Sequence, residues 1–207
     1  MHDDSGRVIA RIWLRARNVR LGIVLLTSIT IVTSIFSNST VPTPFAFLRS
    51  ASFEVPIGSL APVATVMAIG YLLYFQSPGI ERASVRPIAL LDAGLLSFYS
   101  ALLVIPATVW LVNNDAWEVI AACRVQLFAF WMVLIGSHIV GTRLSVACVT
   151  TALILAPTFL PSHLRNHPPG IFVTLAKGTS FEATGITIAV VFVGLILIAI
   201  RGLPQPA

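Results

Sequence analysis

Six stretches of this chain are long, almost free of charge and rich in Leu, Ile, Val, Ala and Phe. They cover residues 21–37, 57–76, 88–112, 119–141, 144–160 and 183–200, and polar segments separate them. Apolar runs of about 17–25 residues match the hydrocarbon thickness of a bilayer when helical. In hydrocarbon the backbone must satisfy its own polar groups, which restricts a spanning chain to helices or a closed barrel. Composition points the same way: only 10% of residues are charged and 57% are hydrophobic, whereas soluble domains are about a quarter charged. The sequence therefore predicts an all-α integral membrane protein with about six transmembrane helices. A cytoplasmic segment, 1–20, precedes a single membrane domain, 21–203, and a short tail, 204–207, follows it.

Charge sets the expected orientation. Arg7, Arg11, Arg15, Arg17, Arg20, Arg82, Arg86, Arg143 and Arg201 fall on one side of the predicted spans, and Arg49, Arg124, Arg165 and Lys177 on the other. Short loops rich in Lys and Arg stay on the cytoplasmic side, so both termini are expected there. The same clustering beside apolar runs explains the basic pI through topology and lipid headgroups, without a nucleic-acid partner.

Two cytoplasmic segments stand out. Within residues 7–20, Arg7, Arg11 and Arg15 recur every four residues and share one face of a helix. Val8, Ile9, Ile12, Trp13, Ala16 and Val19 fill much of the remainder, which suits a helix lying in the headgroup region. Residues 76–92 carry Glu81, Arg82, Arg86 and Asp92 between two apolar runs. Those charges are expensive in hydrocarbon and are expected in water or among headgroups. A short helix over 79–85 is expected there, broken at Pro87, with Arg86 pushed toward extended geometry. Such a charged helix between two spans can dock onto a soluble partner.

Elsewhere the expectations are more local. Phe45, Phe47, Leu48 and Phe53 are expected to pack as a short interfacial helix in the outer segment 38–56. Pro106 is expected to kink the third span, and Thr142-Arg143 to form a tight inner turn. Arg124, near the outer end of the fourth span, can snorkel outward toward Glu118 or face a substrate. His138, near the inner end, is expected to pack or hydrogen-bond against a neighbouring helix. Cys123 and Cys148 lie in apolar runs and read as small buried hydrophobes.

Several chemistries lack their motifs. There is no Gly-x-x-x-x-Gly-Lys-Ser/Thr, no His-Glu-x-x-His and no Gly-x-Ser-x-Gly. A P-loop, a zincin site and a nucleophile elbow are thereby excluded. His163 and His167 are four residues apart, but prolines flank them and no carboxylate adjoins, so no metal and no cofactor are expected. The carboxylates sit in loops or at span ends, whereas ion-driven transporters usually place one at mid-membrane. If the protein moves a solute, another subunit is expected to power it.

This layout resembles the membrane subunit of a type-2 ABC exporter permease. Residues 7–20 resemble that family's interfacial helix, and 79–86, with Glu81 and Arg82, its coupling helix. Residues 161–182 resemble its outer re-entrant region. The resemblance implies a bacterial plasma-membrane protein that pairs with a second copy or a sister permease above two soluble ATPase subunits. Glu81, Arg82, Arg86, Arg11 and Arg15 would make the coupling contacts, and Arg124 and His138 would lie at the pathway or an interface. ATP hydrolysis would belong to the partner, and the substrate would be apolar or amphipathic. The alternative is a non-catalytic accessory subunit of a larger membrane complex. A membrane enzyme acting on lipid fits least, because no cluster of polar residues converges on one side.

Overall fold

The computed structural model describes residues 13–15, 17–36, 40–42, 54–56, 60–74, 88–113, 117–159 and 181–203. Six helices make up most of them: α1 (Val19–Phe36), α2 (Ala61–Tyr74), α3 (Ile88–Asn113), α4 (Trp117–Val140), α5 (Thr142–Phe159) and α6 (Phe181–Arg201). Each coincides with one of the six apolar runs, so the chain is helical where hydropathy places helices. Among the described residues, two helical segments are long and apolar enough, by length and composition, to cross a membrane: Cys123–Val140 within α4 and Phe181–Arg201, the whole of α6. Within the described residues, Val19–Val32, Ala61–Tyr74, Ala89–Ile105 and Thr142–Ile154 form shorter apolar helical segments.

α4 is the axis of the bundle. It packs against α2, α3, α5 and α6, while α1 lies against α2 and α3 on the far side. Ala129, Phe130, Trp131, Val133 and Leu134 of α4 are wholly buried. Phe130 and Trp131 meet edge to face, with ring centroids 5.7 Å apart, a geometry that the ring quadrupoles favour. Polar side chains tie α4 to its neighbours. Gln126 Nε2 donates to Thr65 Oγ1 on α2 at 2.6 Å, and Trp131 Nε1 donates to Ser100 Oγ on α3 at 3.0 Å. In apolar surroundings each such bond contributes about 0.6–2 kcal/mol.

These contacts fix which helix ends lie together. The residues before α1 meet the first turns of α3 through Arg17 and Asp92. The end of α2 meets the start of α5 through Tyr74 and Arg143. His138, near the end of α4, lies beside Arg201 and the Gly202 backbone at the end of α6. At the opposite end Arg124 of α4 meets Thr184 of α6. The starts of α1, α3 and α5 and the ends of α2, α4 and α6 therefore share one end of the bundle, called here the basal end.

The structure departs from the sequence reading at several points. Segment 38–56 contains a short antiparallel ladder, β1 (Thr40–Pro42) with β2 (Glu54–Pro56), pairing Val41 with Val55. Three-residue strands ending in proline carry too little alternation to announce themselves. The turn between α4 and α5 is the single residue Gly141, at φ 85°, and Thr142 and Arg143 already belong to α5. A left-handed residue stops α4, and glycine adopts that conformation without a Cβ clash. Asp92, expected in the loop, is a fully buried residue of α3.

Arg7, Arg11, Glu81, Arg82 and Arg86 lie outside the described residues. So do the expected helices at 79–85 and 45–53, and His163 and His167.

Candidate functional site

The basal end holds the densest polar cluster among the described residues, and local geometry before α1 builds it. Trp13–Arg15 forms a helical turn, and Arg17 N donates to Trp13 O at 3.0 Å, continuing it. Asn18 then adopts a left-handed conformation, φ 49°. Asparagine tolerates that region better than most residues and commonly ends a helix in this way. α1 starts at the next residue, so Asn18 is an elbow between the entering helix and α1.

The elbow turns Arg17 and Trp13 onto α3. Arg17 Nε donates to Asp92 Oδ1 at 3.0 Å and Nη2 to Oδ2 at 2.6 Å. Trp13 Nε1 adds a third bond to Oδ1 at 3.1 Å. The guanidinium and carboxylate side chains are 4% and 0% exposed. A planar fork on a carboxylate is the strongest geometry that such a pair can adopt. It compensates two charges that burial would otherwise make very costly. Nearby, Tyr99 Oη on α3 donates to Val19 O at the start of α1, at 3.4 Å. The segment before α1, the start of α1 and the start of α3 thus form one polar joint. α3 is entered directly from the charged segment 76–87.

The four-residue spacing of arginines points to Arg7, Arg11 and Arg15. Arg15 is exposed, and the buried partner is Arg17. Two residues further on, Arg17 lies about 200° around the helix from Arg15. The one local signal was Asp92, a carboxylate a turn inside an apolar run, since such a group needs a cation.

The other two sequence candidates lie apart from this joint. Arg124 is 6% exposed and donates from Nη1 to Thr184 Oγ1 at 3.3 Å, which links α4 to α6; the Glu118 side chain lies outside the described residues. His138 lies between the ends of α4 and α6, and its Nε2 is buried with no hydrogen-bond partner among the described residues. Cys123 and Cys148 form no disulfide; Cys123 is buried as expected, whereas Cys148 is exposed, because its position on α5 faces away from the other helices.

Charge is unevenly distributed. Arg15, Arg20, Arg143 and Arg201 are exposed at the basal end, while Asp92 neutralises Arg17. At the other end the charged side chains described are Arg124 and Glu182. Much of the bundle's outer surface is apolar: Val24, Ile35, Leu90, Phe192, Val193, Ile196 and Ile200 are each at least half exposed. No group of three or more potential metal ligands occurs among the described residues.

No family model, curated protein or solved structure matches this chain.

Proposed function

We propose that the chain is a six-span membrane protein with both termini in the cytoplasm. It acts as the permease subunit of an ATP-driven exporter, paired with a separate soluble ATPase. The observation that carries this reading is the Arg17–Asp92–Trp13 joint. It couples the N-terminal segment to the base of α3, and α3 follows directly on the segment that contains Glu81 and Arg82. A push from below on either segment would be transmitted to α1 and α3 together.

Other features support the membrane setting. In α6, ten of 21 residues are β-branched Val, Ile or Thr. Such residues are indifferent helix formers in water, but hydrocarbon enforces the helix because unpaired backbone groups have no other partner there. Exposed apolar side chains on several helices suit lipid contact, and the arginines of the basal end suit the cytoplasmic face. The large side chains that fill the bundle centre favour a pathway between copies or sister subunits over one through a single chain. The same filled centre favours the second reading, an accessory subunit without a pathway.

Two measurements test the proposal. With Cys123 and Cys148 replaced by alanine, a lone cysteine introduced as Ser84→Cys is expected to resist an impermeant thiol reagent in intact cells and to react once the membrane is opened. Labelling from outside would invert the topology and remove the exporter reading with it. Reversing both charges, Glu81→Arg with Arg82→Glu, is expected to leave membrane insertion intact while abolishing coupling between ATP hydrolysis and export. Unchanged transport would defeat the coupling assignment, and purification in mild detergent within a large assembly that lacks an ATPase would favour the accessory role.

A further inference from the structure

We infer that Tyr74 and Arg143 form a seat for the phosphate of an anionic phospholipid at the basal end of the bundle, between α2 and α5. The inference rests on the membrane setting proposed above but not on transport. Arg143 is the second residue of α5, placed at the bundle edge by the one-residue turn at Gly141. Its Nη2 donates to Tyr74 Oη at 3.1 Å, and its Cζ lies 5.1 Å from the centroid of the Tyr74 ring. The ring face and the hydroxyl hold the guanidinium from one side. Neither brings a negative charge.

A guanidinium carries five N–H donors in a rigid fork. Tyr74 takes one of Arg143's, and no carboxylate engages the group among the described residues. Stacking on an aromatic face restricts the side chain before any ligand arrives, which lowers the entropy lost on binding. The ligand chemistry follows from what remains: a planar cation with paired donors, exposed at the polar end of an apolar bundle, fits a phosphate bidentately. Tyr71, one turn before Tyr74, is also exposed, and tyrosines favour headgroup depth. Arg15, Arg20 and Arg201 at the same end add attraction for an anionic leaflet, each worth little alone. What separates Arg143 from them is its fixed geometry.

The test uses the full chain in nanodiscs of phosphatidylcholine with a minor fraction of phosphatidylglycerol, and reads retained lipid by native mass spectrometry. The wild type is expected to retain phosphatidylglycerol selectively. Arg143→Ala is expected to lower that selectivity about tenfold, as expected for one charge-assisted contact. Arg143→Lys should lose most of it, because a point charge cannot reproduce the fork. Tyr74→Phe, which keeps the ring and removes the hydroxyl, should fall between Arg143→Ala and the wild type. Arg201→Ala, an exposed arginine at the same end, should change little. Equal losses in Arg143→Ala and Arg201→Ala would reduce the seat to general basicity and overturn the proposal. Full competition by inorganic phosphate would overturn it too, since the ligand would then be the free ion. Failure of the wild type to enter nanodiscs would count against the membrane reading, whereas insertion without lipid selectivity would defeat this inference alone.

Discussion

Arg17→Ala is expected to destabilise the protein by about 3–5 kcal/mol, the loss typical of leaving one member of a buried ion pair uncompensated. Asp92 has no contact with solvent, so water cannot replace the two guanidinium bonds at 3.0 and 2.6 Å. The Trp13 indole, at 3.1 Å, supplies a neutral donor and no charge. Asp92→Asn should be milder than Arg17→Ala because it keeps the shape and one acceptor, although it strands the guanidinium. Arg17→Lys should lose the bidentate fit and fall between wild type and Arg17→Ala. The decisive variant is the double change Arg17→Met with Asp92→Leu. Replacing both charges by apolar groups of similar volume is often neutral or stabilising, so the double variant should recover most of the stability lost by Arg17→Ala. Unfolding of the detergent-solubilised protein, followed by helical circular dichroism, measures all four. Additive losses, with the double variant worse than either single one, would mean that the two side chains do not act as a pair.

Gly194→Ala should destabilise α6 packing by about 1–3 kcal/mol, the usual range for overfilling a close-packed site, and Gly194→Leu by more. A Cβ at position 194 would overlap the Trp131 indole at Cε3 and come within 2.7 Å of Cζ3. Trp131 cannot readily swing aside, since it is fully buried, bonded to Ser100 and packed edge to face on Phe130. The sign is informative because alanine is intrinsically the better helix residue by about 1 kcal/mol. Gly185→Ala on the same helix is the control: a Cβ there meets nothing within 4 Å, so it should be neutral or slightly stabilising. Both are read by the same unfolding measurement, and equal behaviour of the two variants would contradict the close approach of α6 to α4.

Only part of this architecture is legible in the chain without its fold. The six helices lie within a few residues of the apolar runs because their ends are set locally: hydropathy drops where polar segments begin, and Gly141 and Arg201 mark where helices stop. The excess of arginine on one side was equally legible, as charge near a span end is a property of position along the chain. The Arg17–Asp92 joint was not. Those residues are 75 apart, and the regular spacing of Arg7, Arg11 and Arg15 pointed to another face. Only the left-handed elbow at Asn18 and the packing of α1 on α3 bring Arg17 to Asp92.

By itself the sequence determined that this protein is a set of apolar helices with one basic end, because backbone hydrogen bonding and hydrophobicity act along short stretches. Tertiary structure alone decided that α4 is the axis, that Gly194 receives Trp131, that Arg143 lies over Tyr74, and which arginine neutralises Asp92. Almost any apolar surface can pack on another, so helix pairing is chosen by shape and by a few polar contacts. Neither exists until the helices are in place.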